Sequence, residues 1–193
     1  MSRPREFEVD RALQQSMEVF RTKGFKSTSY EDLTRATQVK KQSFYCLFKD
    51  KRALFIQVLR LYREQSIARL EKLASQDSCP LKKLKAITNA SLRRDNETEC
   101  GPCLMVNSIM EFGTEDKEIA REISLMLDEL EQIIEKIVHS GQEQGLITTR
   151  LTSKEIAAYL NNVWSGAKVA EKSGASNERI DIALHAAFAL LKP

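Results

Sequence analysis

Glycine and proline are scarce, 7 and 4 among 193 residues. That leaves little turn chemistry for a many-stranded β fold and excludes collagenous and low-complexity chains. No apolar run approaches the roughly 18–20 residues of a membrane span. The opening residues, Met1-Ser-Arg-Pro-Arg-Glu-Phe-Glu, lack the apolar core of a secretory signal, so a cytoplasmic protein with no membrane partner is expected. Four cysteines, Cys46, Cys79, Cys100 and Cys103, are too few for a disulfide framework in a chain of this size. In a reducing compartment they are buried thiols, metal ligands or redox-active groups. What is present is the composition of a folded protein: 42% hydrophobic and 30% charged, with enough length to bury a sizeable core.

The net charge of +3 hides an asymmetry. Residues 1–52 carry 12 Lys and Arg against 7 Asp and Glu, whereas the remainder carries 18 against 20. A basic module suited to a polyanion, joined to a larger module with another task, follows from that split. Apolar spacing is helical almost throughout, and no segment alternates with period two long enough to nominate a strand. The expectation is an all-α protein of about nine helices. A first helix, about Arg5 to Lys23, aligns Val9, Leu13, Met17 and Phe20 and closes at Gly24. Thr28-Ser-Tyr-Glu31 reads as a capping box opening a short helix to about Thr37. After a turn at Gln38-Val39, a second short helix, about Lys40 to Phe48, buries Phe44, Leu47 and Phe48. Asp50 then caps a long helix from Lys51. Further helices start at Pro80, after Cys103, near Glu115, at the Thr152-Ser-Lys-Glu155 capping box and near Asn177.

Two short helices joined by a tight turn and packed on a longer one describe a helix-turn-helix, whose second short helix enters the major groove. Lys40, Lys41, Gln42, Ser43 and Tyr45 lie at the start of that helix, where side chains reach base edges and phosphates. Thr28, Ser29 and Tyr30 open the preceding helix, and Lys49 and Lys51 flank the reading helix at positions suited to phosphates.

The run Gly24-Phe25, Thr28-Ser29, Asp32-Leu33, Val39, Phe44-Tyr45, Phe48, Lys51 and Ala53-Leu54 resembles the N-terminal signature of the tetracycline-repressor (TetR) family of bacterial transcription regulators. The resemblance implies a helix-turn-helix DNA-binding domain over 1–50 and a helical effector-binding and dimerisation domain over 51–193. It further implies a two-fold dimer on a palindromic double-stranded DNA operator, released when a small effector enters the larger domain. Gln38 stands where the family usually has Gly in the turn, so the backbone there must accept a side chain.

Cys100-Gly-Pro-Cys103 leaves two readings open. It is the tetrapeptide of thioredoxin-like thiol-disulfide oxidoreductases, which makes an enzyme using Cys100 and Cys103 the rival function, although no strand precedes it. A zinc site lacks a second ligand pair, and no motif calls for a cofactor. Cys103-Leu-Met-Val-Asn107 also resembles a helix start found in a subgroup of the repressor family, in which the cysteine lies by the effector pocket. At a helix N-terminus its thiolate is favoured and reactive, with Cys100 available to resolve an oxidised product; a small buried hydrophobe is the alternative. Cys46 and Cys79 read as structural. Tyr62, Cys103, Met105, Ser108, Ile109, Phe112, Met126, Tyr159, Trp164 and Lys168 mix apolar, aromatic and polar groups as a small, partly apolar effector needs. The last two helices carry Ala157, Ala158, Leu160, Val163, Ala167, Ile180, Ala183, Leu184, Ala187, Phe188 and Leu191, a small-residue set suited to a four-helix homodimer interface.

Overall fold

The computed structural model describes residues 3–76, 78–92 and 103–193. Among the described residues there are nine helices and no strand: α1 (Arg3–Lys23), α2 (Tyr30–Thr37), α3 (Lys41–Phe48), α4 (Lys51–Ala74), α5 (Pro80–Leu92), α6 (Leu104–Phe112), α7 (Lys117–Glu143), α8 (Ser153–Lys172) and α9 (Asn177–Ala189). The all-α expectation holds. The chain divides into two compact units, Met1–Gln65 with Gly101–Ser124, and Ser66–Cys100 with Leu125–Pro193. The long helices α4 and α7 therefore each contribute to both.

The first unit is built around phenylalanine. Phe20, Phe44, Phe48 and Phe55 are buried, together with Met17, Leu33 and Leu54. Phe20 meets Phe55 edge-on at 4.9 Å, Phe25 lies 5.0 Å from Phe55, and Phe112 of α6 stacks on Phe55 at 5.6 Å. Offset and edge contacts of this kind are the favoured aromatic geometries. Gly24 ends α1 at φ +80°, and Gln38 adopts φ +56°, so a glutamine side chain is accommodated where the left-handed backbone favours glycine. The start of α2 differs from the sequence reading. The capping box is Ser29 with Asp32, not Thr28 with Glu31: Ser29 Oγ accepts from the Asp32 amide, and Asp32 accepts from the Ser29 amide at 3.0 Å. Thr28 is instead buried, its hydroxyl donating to the Gly24 carbonyl.

The second unit packs α5, α8, α9 and the distal parts of α4 and α7 around a mainly aliphatic core that includes Leu84, Ile87, Leu130, Ile134, Leu160, Ile180 and Leu184, with Trp164 among them. Gly141 sits inside α7 because a Cβ there would lie 2.5 Å from Ile147 Cδ1. The Thr152–Glu155 capping box forms as the sequence indicates, and the Thr152 amide and hydroxyl, both donating to the Glu155 carboxylate, hold it below the usual range. Ala157, Leu160, Ala167, Ile180, Leu184, Ala187 and Leu191, read from sequence as interface residues, are buried within this unit's own core. The large apolar side chains that face outward on α8 and α9 are Tyr159, Val169 and Ile182, with Leu190 just beyond, and Ala183, also read as interface, is exposed as well.

Candidate nucleic-acid interface and its latch

The reading head is α1 to α3. Phe44 and Phe48 turn one face of α3 into the core, where Phe44 meets Tyr30 at 6.2 Å and Phe48 at 5.1 Å. The Lys40 carbonyl accepts the first bond of the helix from the Phe44 amide at 3.0 Å. Lys41, Ser43 and Tyr45 lie on α3 itself, while the side chains of Lys40, Gln42, Cys46 and Lys49 are exposed. Cys46 is thus a surface residue of the reading helix, against its structural reading from sequence. Lys49 takes φ +61°, a second left-handed non-glycine residue, which turns the chain from α3 into α4. The turn between α2 and α3 is held by Thr37, whose hydroxyl donates to the Leu33 carbonyl at 2.8 Å and accepts from the Val39 amide at 3.2 Å.

Three of the sequence-selected residues work inside the head. Lys51 Nζ donates to the Phe25 and Thr28 carbonyls at 2.9 and 2.8 Å and lies 4.3 Å from the Phe25 ring centroid. The Tyr30 hydroxyl accepts from the Lys51 amide at 3.0 Å, so it caps α4. Ser29 caps α2. Lys23 pairs with Asp32, and that ion pair with the Ser29 bonds drives the Asp32 carboxyl well below its usual range.

Sequence reasoning missed what joins α6 to this head. Glu111 Oε1 accepts from the Phe25 amide at 2.9 Å, and Oε2 accepts from the Lys26 amide at 2.7 Å. Its carboxylate occupies the space a Gly24 side chain would fill, with Oε1 only 2.1 Å from an ideal Cβ. One turn earlier on α6, Asn107 donates to the Arg21 carbonyl at 2.9 Å, and Phe112 packs 5.1 Å from Phe25. These contacts bridge about 86 residues of sequence, and only Gly24 hinted at them. A second bond set ties α4 to the start of α7. Arg52 forms a two-point pair with Asp116 at 2.7 and 2.8 Å, and Asp116 also accepts from the Glu118 and Ile119 amides. Arg52 is the main cause that holds Asp116 down at about 2. Arg60 bonds the buried Glu122 at 2.8 Å.

Cys103 is the N-cap residue of α6, at the opposite end of that helix from Glu111, and makes no side-chain cap bond. It is half-buried with its sulfur 3.5 Å from the Tyr62 hydroxyl. Cys100 lies outside the described residues. Of the other effector candidates, Met105 and Ser108 are buried in the first unit, Phe112 joins the phenylalanine cluster, and Ile109 is exposed. Met126, Trp164 and Lys168 are buried in the second unit, and Tyr159 there faces outward. Among the described residues no cluster of three metal-ligating side chains occurs, and no helix is long and apolar enough to cross a membrane.

Residues 12–58 match the bacterial regulatory proteins of the tetR family, and residues 80–187 match the tetracyclin repressor-like C-terminal domain. The HTH-type transcriptional repressor ComR of Escherichia coli is 28% identical over 183 residues, covering 92% of this chain and 86% of ComR. The repressor DhaR of a Mycobacterium species is 26% identical over 94% of this chain and 90% of its own. The fold superposes on the reduced form of E. coli NemR with a TM-score of 0.85 at 19% identity, covering 96% and 98% of the two chains. A cysteine-substituted CifR, a TetR family regulator solved with a 26-base-pair operator, superposes at 0.79 with 21% identity, covering 94% and 95%. The thiol-disulfide oxidoreductase reading falls with this result. The chain belongs to the tetR family of bacterial regulatory proteins, DNA-binding transcription regulators and not enzymes.

Proposed function

We propose that the protein is a homodimeric repressor that reads an inverted-repeat operator through α3 and releases it when a small effector or a thiol modification shifts α6. Residues 1–50 read DNA, residues 51–193 respond and dimerise, and the protein acts where its operator lies, in the cytoplasm. Lys40, Lys41, Gln42, Ser43, Tyr45 and Lys49 carry the DNA contacts, with Ser29, Tyr30 and Lys51 holding the head in shape and Thr28 buried behind it. The relatives named as repressors support the sense of regulation. Dimerisation through α8 and α9 is supported by the outward Tyr159, Val169, Ile182 and Leu190, apolar side chains that a partner copy would cover.

One observation carries the release mechanism: α6 is a nine-residue rod with Cys103 at one end and Glu111 fastened to the head at the other. An adduct on Cys103, or an effector beside Tyr62 and Met105, displaces the helix start, and the rod passes the shift to the Gly24–Lys26 turn. The helix N-terminus favours the thiolate, which makes Cys103 the site of attack. The test is operator binding by fluorescence anisotropy for wild type and Cys103→Ser, before and after N-ethylmaleimide. Release in wild type and retention in Cys103→Ser is the expected result. Equal release by both would assign the effect to exposed Cys46 on the reading helix.

A further inference from the structure

The second unit contains a cleft of about 360 Å³ where the end of α4, the start of α5 and the distal part of α7 converge. None of the residues assigned to DNA or effector lines it. Its floor is formed by Ile133 and Ile137, each about 5% exposed, with Ala74 beside them. Its rim carries one charge from each helix: Glu71 from α4, Lys83 from α5 and Lys136 from α7. Among the described residues, none of these three groups takes part in an ion pair or side-chain hydrogen bond. Two lysines thus line an apolar-floored space of a size within the small-molecule range.

We propose that this cleft is a second ligand site, selective for an apolar molecule bearing a single carboxylate. The apolar body lies on Ile133 and Ile137, and the carboxylate takes charge-assisted hydrogen bonds from Lys83 and Lys136. The rim sums to one positive charge. A dianionic phosphate is disfavoured there because Glu71 repels its second charge, and because the rim offers ammonium groups without the guanidinium fork that phosphate sites commonly use. A neutral analogue of the same length retains the apolar contact and loses the selectivity.

The test uses the full chain and octanoate, with 1-octanol as the uncharged probe and inorganic phosphate as the polar one, by isothermal titration. Octanoate is expected to bind once per chain, and Lys83→Gln with Lys136→Gln to weaken it about tenfold or more, the scale of a lost charged hydrogen bond. Binding of 1-octanol should be weaker in wild type and unchanged by the two substitutions. Ala74→Phe, which fills the cleft without touching a charge, should abolish octanoate binding while circular dichroism reports an intact fold. Octanoate affinity unchanged in the lysine variants, or unchanged in Ala74→Phe, overturns the proposal. So does the absence of saturable binding up to about 1 mM. Operator release through Cys103 is read separately, so either result leaves the other standing.

Discussion

Glu111 and Gly24 should be thermodynamically coupled, and the size of the coupling follows from the geometry. Removing the carboxylate by Glu111→Ala deletes two hydrogen bonds to a charged acceptor, each worth about 1.5–3 kcal/mol. The Lys26 amide is exposed and water replaces part of that loss, so a cost of about 2–3 kcal/mol is expected. Gly24→Ala acts twice. At φ +80° an alanine costs about 1–2 kcal/mol, and its Cβ would stand 2.1 Å from Glu111 Oε1, forcing the carboxylate off the amides. In the Glu111→Ala background only the backbone cost remains. The double-mutant cycle should therefore give a favourable coupling of about 2 kcal/mol. Amide hydrogen exchange suits the measurement, because the first compact unit opens locally and the Phe25 and Lys26 amides report on the latch itself. Both should lose protection in either single variant, with little further loss in the double. Additivity within about 0.5 kcal/mol, or unchanged exchange at both amides, would refute the latch.

Lys41→Ala should weaken operator binding by about 1–3 kcal/mol with relaxed sequence preference. Lys51→Ala should instead lower the stability of the head, since its ammonium is engaged by two carbonyls, while under conditions where the head stays folded the salt slope for operator binding should match wild type. Ile182→Asp places a charge on the outward face of α9 and should yield folded monomers by sedimentation, whereas Ala187→Asp puts the charge into the core and should unfold the second unit. Asp116, held at about 2 chiefly by its hydrogen bond to Arg52, stabilises the fold above the unfolded carboxylate pKa near 4; that stability is lost as pH falls through 2. Asp116→Asn should flatten the acid limb of the stability curve over that window, and an unaltered limb in the variant would show the pair to be inert.

Local chemistry made the elements legible. Apolar spacing, the Thr152–Glu155 box, Pro80 and Gly24 fix where helices begin and end within a few residues, because capping and helical burial depend on neighbours in the chain. The helix-turn-helix was legible for the same reason, down to a left-handed Gln38 in its turn. Even here local rules admitted two registers for the α2 cap. Burial of Thr28 under the Gly24 carbonyl chose Ser29 and Asp32. Which face of a helix meets what was not legible. Small and apolar residues on α8 and α9 look alike in sequence whether they line the protomer's own core or a partner's, and packing against α5 and α7 sent Ala157, Leu160, Ile180 and Ala187 inward. The roles of Lys51 and Glu111 were likewise decided by tertiary structure. A lysine beside a reading helix has the same charge whether it meets phosphate or carbonyls, and a glutamate on α6 carries no mark of two backbone amides 85 residues away. Sequence periodicity encodes a helix's own hydrogen bonds and its apolar stripe. Partners distant along the chain are set only when the helices pack.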